Sequence, residues 1–201
     1  MPCVGNRNES PRRHFQSRTA PGLAGGPRQH PAFREDGSFR AGARSLRRQT
    51  VWQEARSILF YAPMPAEPDV SPLLEEALAT GKTVVLPRFL AETGAYEACQ
   101  VKNLAGDCAP GKFGITEPAA HAAPFPLKRL DFVLAPGLGF DLSGQRLGRG
   151  QGFYDRLLAR ILAPKCGVAF DSQVVGTIPA EAHDIHMNFI LTPTRWLVIP
   201  S

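Results

Sequence analysis

The sequence predicts an α/β domain in which a mostly parallel sheet is flanked by helices in three layers, as a single domain. Three observations predict it. Short apolar runs bounded by proline or glycine recur along the chain. Segments with helical periodicity stand between them. The longest glycine-rich stretch lies between an apolar run and a helix, where such folds place a ligand loop.

In chain order, the pattern turns helical from Ala41 to Arg56, with Leu46, Val51 and Trp52 on one face and Ala55 nearby. Ser57 to Ala62 (SILFYA) is a compact apolar run ended by Pro63, as in a buried strand. Ser71 is expected to cap a helix that has Pro72 at its first position and Glu75 and Glu76 near its positive end. Gly81 should stop that helix. Thr83 to Leu86 predicts a strand ended by proline, and Tyr96 to Lys102 a weaker one. Phe132 to Ala135 predicts another buried strand. A helix from about Gly152 to Leu162 follows, with Leu157, Leu158, Ile161 and Leu162 on its apolar side. Gly167 to Phe170 and Trp196 to Ile199 complete the set.

Charge divides the chain in two. Residues 1–48 hold ten arginines, no lysine and three acids (Glu9, Glu35 and Asp36), a net of +7 that leaves the other 153 residues at −2. Residues 1–40, rich in Arg, Pro and Gly, read as a weakly ordered segment, with 41–201 as the α/β domain. An accessory tail, a transit-peptide mimic and an extension without function all suit that segment. The folded part carries no basic excess, which argues against nucleic acid as a partner. No apolar run is long enough to span a membrane. The four cysteines match no zinc or CxxC spacing, as expected of free thiols in a reducing cytoplasm.

Phe132 to Leu162 reads strand, glycine-rich loop, helix, and Pro136 to Gly152 contains six glycines. Glycine permits positive φ and close approach to a ligand. Successive bare N–H groups can cradle an anion, and a helix start adds positive potential. Arg146 and Arg149 inside the loop can grip phosphate in two-pronged fashion. Asp155 at the helix start offers a carboxylate to a hard cation such as Mg²⁺. The spacing matches neither common phosphate-loop pattern, so the residues alone leave a nucleotide loop and a structural turn both open.

The stretch PGLGFDLSGQRLGRGQGFYDRLL, Pro136 to Leu158, closely resembles the signature of the 5-formyltetrahydrofolate cyclo-ligases, also called 5,10-methenyltetrahydrofolate synthetases. That signature reads like PGLAFD, a short glycine-containing spacer, then RLGxGxGYYDR. Tyr61 to Leu74, Gly81 to Arg88, Lys112 to Pro118 (KFGITEP) and Gly167 to Thr192 resemble further family segments in the same order, so the resemblance spans about Val51 to Ile199.

The resemblance implies ATP- and Mg²⁺-dependent closure of 5-formyltetrahydrofolate to 5,10-methenyltetrahydrofolate, with release of ADP and phosphate; the protein is expected to be a cytoplasmic monomer. It implies an ATP loop of Arg146, Leu147, Gly148, Arg149, Gly150, Gln151, Gly152, Phe153 and Tyr154. Glu67 would hold the pterin through its ring N–H groups, with Arg149, Gly150, Gln151, Gly152 and Phe153 facing the folate. Asp155 and Asp184 would bind Mg²⁺, and Arg146, Arg149 and Asp155 would carry catalysis.

Two departures stand out. Phe153 replaces the family's usual tyrosine. The family's N-terminal Lys-x-x-x-Arg phosphate grip has no lysine here, because none occurs before Lys82; Arg12, Arg13 and Arg18 lie at a similar distance, among helix-breaking Pro21, Gly22, Gly25, Gly26 and Pro27. The alternative is therefore a family member that binds folate or nucleotide with altered or lost ATP turnover. Among other side chains, Trp52 and Trp196 are expected in the core and His186 in a structural role. Phe113 is expected to line the substrate site. For Tyr61, Gln173 and His183 the sequence leaves a contact with substrate and a structural or solvated role both open.

Overall fold

The computed structural model describes residues 39–111, 114–180 and 184–200. Helix α1 (Phe39–Arg47) and short helix α2 (Thr50–Glu54) replace the single helix expected from Ala41. β1 (Ser57–Leu59) follows, then α3 (Ser71–Ala79), β2 (Thr83–Leu90) and β3 (Ala95–Val101). Next come α4 (Leu104–Asp107), β4 (Cys108–Pro110), β5 (Thr116–Pro118), β6 (Phe132–Pro136), β7 (Gly139–Asp141) and β8 (Arg146–Leu147). The last elements are α5 (Phe153–Leu158), β9 (Lys165–Val168), β10 (Val174–Val175), β11 (Phe189–Leu191) and β12 (Trp196–Val198).

The main sheet runs β12-β11-β9-β6-β1-β2-β3. Its four inner pairings are parallel, and the pairings of β12 and β3 at the two edges are antiparallel. The chain crosses from β1 through α3 to β2 on one side, and from β6 through α5 to β9 on the other. Crossovers of one hand that run in opposite directions place their helices on opposite faces. One core layer accordingly joins Leu46, Trp52, Leu73 and Leu74 to Ile58, Phe60, Phe132 and Leu134. The other joins Leu157, Leu158 and Ile161 to Leu59, Val85 and Val133. The three layers are those expected. The boundary between β1 and β6 is where the winding reverses, and ligands in open α/β sheets bind at the carboxyl end of that boundary.

Several elements differ from expectation for local reasons. β2 continues through Pro87 to Leu90. The Val85 carbonyl accepts from the Phe60 N–H on the β1 side. Pro87, two residues on, faces the same side beyond the last β1 pair, so its missing N–H costs no ladder bond. Ser71 is the first helical residue and does not cap α3: Val70 holds the cap position, and the Asp69 carboxylate accepts from the Ser71 N–H at 2.9 Å. Glu75 and Glu76 both lie outside the first turn, and Glu76 pairs with Arg47 at 2.6 Å. Gly81 does follow the helix end, with φ +77°. α5 stops at Leu158, and Leu162 is 85% exposed, unlike its neighbours Leu157, Leu158 and Ile161. β11 and the small sheet of β10, β7 and β8 were not foreseen.

Trp52 is buried, whereas Trp196 is half-buried and stacks on Phe189 at 4.8 Å. Cys99, Cys108 and Cys166 are free thiols.

Candidate active site

Two loops leave the carboxyl ends of the adjacent parallel strands β1 and β6. One carries Glu67 and the other is the glycine-rich loop, so they converge although far apart in sequence. Together with β2, β3 and β5 they enclose a cavity of about 280 Å³. Glu67, Arg146, Gly148, Arg149, Gln151, Gly152, Phe153, Tyr154 and Asp155 all line it. Leu147 and Gly150 belong to the same loop without lining the cavity, and half-buried Asp184 does not line it either.

The side chains are held from behind. The Met64 N–H donates to Glu67 Oε2 at 3.0 Å, and the Arg149 Nη2 donates to Glu67 Oε1 at 3.5 Å. The Glu67 side chain is largely buried while that of Arg149 is half-exposed. The Arg146 side chain is only 4% exposed. Its Nη1 donates to the Pro136 carbonyl at 3.1 Å, its Nη2 pairs with the Asp155 carboxylate, and its carbon Cζ lies 5.5 Å from the Tyr154 ring centre. The Arg146 Nε and the Tyr154 hydroxyl are buried without hydrogen-bond partners among the described residues. Burial pushes the Tyr154 phenol well above its ordinary value, against the pull of Arg146.

Glycine is required at particular points of the loop. Gly150 and Gly152 have φ of +82° and +63°. A Cβ on Gly148 would come within 3.2 Å of Arg146 Nη1, and one on Gly144 within 2.7 Å of the Met187 carbonyl. The loop before them is clamped by Asp141, whose Oδ1 accepts from the Ser143 N–H, the Ser143 hydroxyl and the Gln145 N–H, and whose Oδ2 accepts from the Ile178 N–H. Burial pushes this carboxyl up, but its hydrogen bonds outweigh that and hold it below the ordinary aspartate value.

Phe153 packs edge-on against Phe89 at 5.3 Å and Tyr96 at 6.4 Å, so the ring at this position is used in packing as well as lining. Tyr61 also does both: it lines the cavity, and its hydroxyl donates to the Pro68 carbonyl at 2.7 Å. Gln173 bonds to backbone, at the Gly137 carbonyl and the Phe170 N–H. His186 bridges Gln145 and the Ser143 carbonyl, a structural role as expected. Lys112, Phe113, His183 and the arginines weighed as N-terminal phosphate contacts lie outside the described residues. Tyr96, Thr116 and Glu117 also line the cavity and were not foreseen as site residues. Only tertiary pairing brings them there, and no local motif marks the first of them.

A protein-family model described as the 5-formyltetrahydrofolate cyclo-ligase family matches residues 30–193. The chain belongs to the 5-formyltetrahydrofolate cyclo-ligase family. It is 36% identical over 148 residues to a curated 5-formyltetrahydrofolate cyclo-ligase of Mycolicibacterium smegmatis, covering 71% of this chain and 76% of the relative. It is 32% identical over 145 residues to that of Escherichia coli, covering 70% and 80%. Among solved structures, the 5,10-methenyltetrahydrofolate synthetase of Aquifex aeolicus superposes with a TM-score of 0.72 at 30% identity, covering 83% of this chain and 85% of that one. Membership agrees with the α/β fold and with the clustering of the signature around one cavity. Among the described residues no helix is long and apolar enough to cross a membrane.

Among the described residues, the cavity wall is closer to an anion cradle than to a preformed metal cage. The unpartnered Nε of Arg146 and the bare backbone at Gly148 to Gly152 suit phosphate oxygens. Among the described residues no three His, Cys, Asp or Glu side chains gather to hold a metal. One carboxylate, Asp155, with a 30% exposed side chain, suits Mg²⁺, which takes one or two carboxylates and fills its remaining positions with phosphate and water.

Proposed function

We propose that the protein is a 5-formyltetrahydrofolate cyclo-ligase that uses ATP, with Mg²⁺, to close 5-formyltetrahydrofolate to 5,10-methenyltetrahydrofolate, releasing ADP and phosphate. The observation that carries this reading is the convergence of Glu67 with the loop Arg146 to Asp155 around one cavity, in a chain of this family. Glu67 accepts hydrogen bonds from the pterin N–H groups, and the Arg149 that now contacts it turns to the phosphates. Arg146 and Arg149 offset charge that grows on the phosphates as the formyl oxygen attacks the γ-phosphorus and ADP leaves. Nitrogen 10 of the folate then attacks the activated carbon and loses its proton, phosphate departs, and the ring is closed. Asp155 would hold Mg²⁺, with Asp184 approaching from outside the cavity wall, and the bound ion would act as a Lewis acid that neutralises phosphate charge. Gly148, Gly150 and Gly152 let the backbone approach the nucleotide, while Gln151, Phe153, Leu147 and Tyr154 shape the same loop. The reading is of a cytoplasmic monomer.

The test follows methenyltetrahydrofolate absorbance with purified protein, 5-formyltetrahydrofolate, ATP and Mg²⁺. A rise that needs all three additions supports the enzyme. No rise, with folate binding intact by calorimetry, supports the second reading, a folate-binding module without ATP turnover. That reading is favoured by one observation: no lysine precedes Lys82, so the family's N-terminal Lys–Arg grip is not reproduced.

A further inference from the structure

The cavity contains a polar group that plays no part in the chemistry above. Tyr96 stands on β3, half-buried, and lines the cavity. Its ring is met edge-on by Phe89 at 5.6 Å, Phe153 at 6.4 Å and Tyr154 at 6.1 Å. Three such contacts on a two-torsion side chain leave the ring little freedom. The Tyr96 hydroxyl makes no hydrogen bond to another described residue. Burial, then the negative charges of Glu117 and Glu67, raise its phenol above the ordinary value, so it remains an O–H donor throughout the working range.

Glu117 is fixed nearby. It is 7% exposed and lines the same cavity. Its Oε2 accepts from the Phe89 N–H at 3.2 Å, and its Oε1 is buried without a partner among the described residues. Gly111 makes room for it: a Cβ there would lie 2.4 Å from Glu117 Cδ.

The polar groups of the cavity therefore differ in what they suit. Guanidinium groups suit phosphate oxygens, and carboxylates suit ring N–H groups. A neutral hydroxyl held rigidly and left without an internal acceptor suits a carbonyl oxygen. We infer that the Tyr96 hydroxyl is a substrate-binding group that donates a hydrogen bond to a carbonyl oxygen of the reduced folate, an assignment that rests on the functional reading above.

Tyr96→Phe removes only the oxygen and keeps the three ring contacts, so the fold should survive. The KM for 5-formyltetrahydrofolate is expected to rise about 5-fold, on the scale of one neutral hydrogen bond, while the KM for ATP and the melting temperature stay unchanged. Calorimetric titration with 5-formyltetrahydrofolate alone should show the same loss in Kd. If wild-type protein does not bind the folate, the functional reading itself fails. If wild type binds it and Tyr96→Phe binds within about 2-fold, or if both KM values rise together, the Tyr96 assignment is overturned.

Discussion

Arg149 is the most exposed of the charged side chains at the cavity, and its present partner is a carboxylate 82 positions away at 3.5 Å. A pair that open contributes only about 0–1 kcal/mol, so a substrate can displace it at little cost. Arg146 is different: buried, held by the Pro136 carbonyl and paired with Asp155, it serves as much to set the loop as to meet a ligand. Arg149→Ala is therefore expected to cut turnover by about 100-fold or more, the scale of one lost electrostatic contact in the transition state, with the melting temperature unmoved. Asp155→Asn is expected to cut turnover by a similar factor, about 100-fold, and also to loosen Arg146, which a small drop in melting temperature would reveal. Near-wild-type rates in both variants would mean that the loop does not serve phosphoryl transfer.

At the scale of elements, the stretch between β7 and β8 depends on one buried carboxylate. Asp141→Asn would keep the three bonds to Oδ1 but set an amide NH₂ against the Ile178 N–H. The expected loss is about 1.5–3 kcal/mol, read as a lower urea midpoint at neutral pH. The sign with pH follows from the lowered carboxyl. Its contribution is complete above the unfolded aspartate value of about 3.9 and is lost as pH falls through the lower folded value, so below about pH 5 the stability of wild type should fall more steeply than that of the variant. β9 carries a second constraint. A Cβ on Gly167 would lie 2.3 Å from Phe140 Cε1, so Gly167→Ala is expected to cost about 1–3 kcal/mol of overpacking, measurable by thermal unfolding.

Six of the seven strands of the main sheet were legible as short apolar runs, whereas β11, with its Phe-Ile-Leu run, was not. The passage of β2 through Pro87 was not, because it depends on where β1 ends. Nor was the exposure of Leu162, because apolar periodicity does not tell where a short helix stops.

For the whole molecule, the decisive feature is that β1 and β6 lie side by side and parallel while their crossovers wind apart. The two core layers share the sheet between them, so a defect in either is felt by the strands that carry the site. Leu134→Ala, in the middle of β6 and fully buried, is expected to cost about 2–5 kcal/mol by calorimetry or urea, with the folate Kd at low temperature largely kept.

By itself the sequence determined the fold class, six of the seven strands of the main sheet, the glycine-rich loop and the resemblance to the family to which the chain belongs. These are local properties: apolar runs, glycine spacing and charge order are written in contiguous residues. Tertiary structure alone decided the strand order, the meeting of Glu67 with Arg149, the pairing of Arg146 with Asp155 and the presence of Tyr96 and Glu117 in the cavity wall. Those depend on contacts between residues far apart in the chain, where the favourable choice is set by the burial and hydrogen bonding of the whole sheet and not by any one segment.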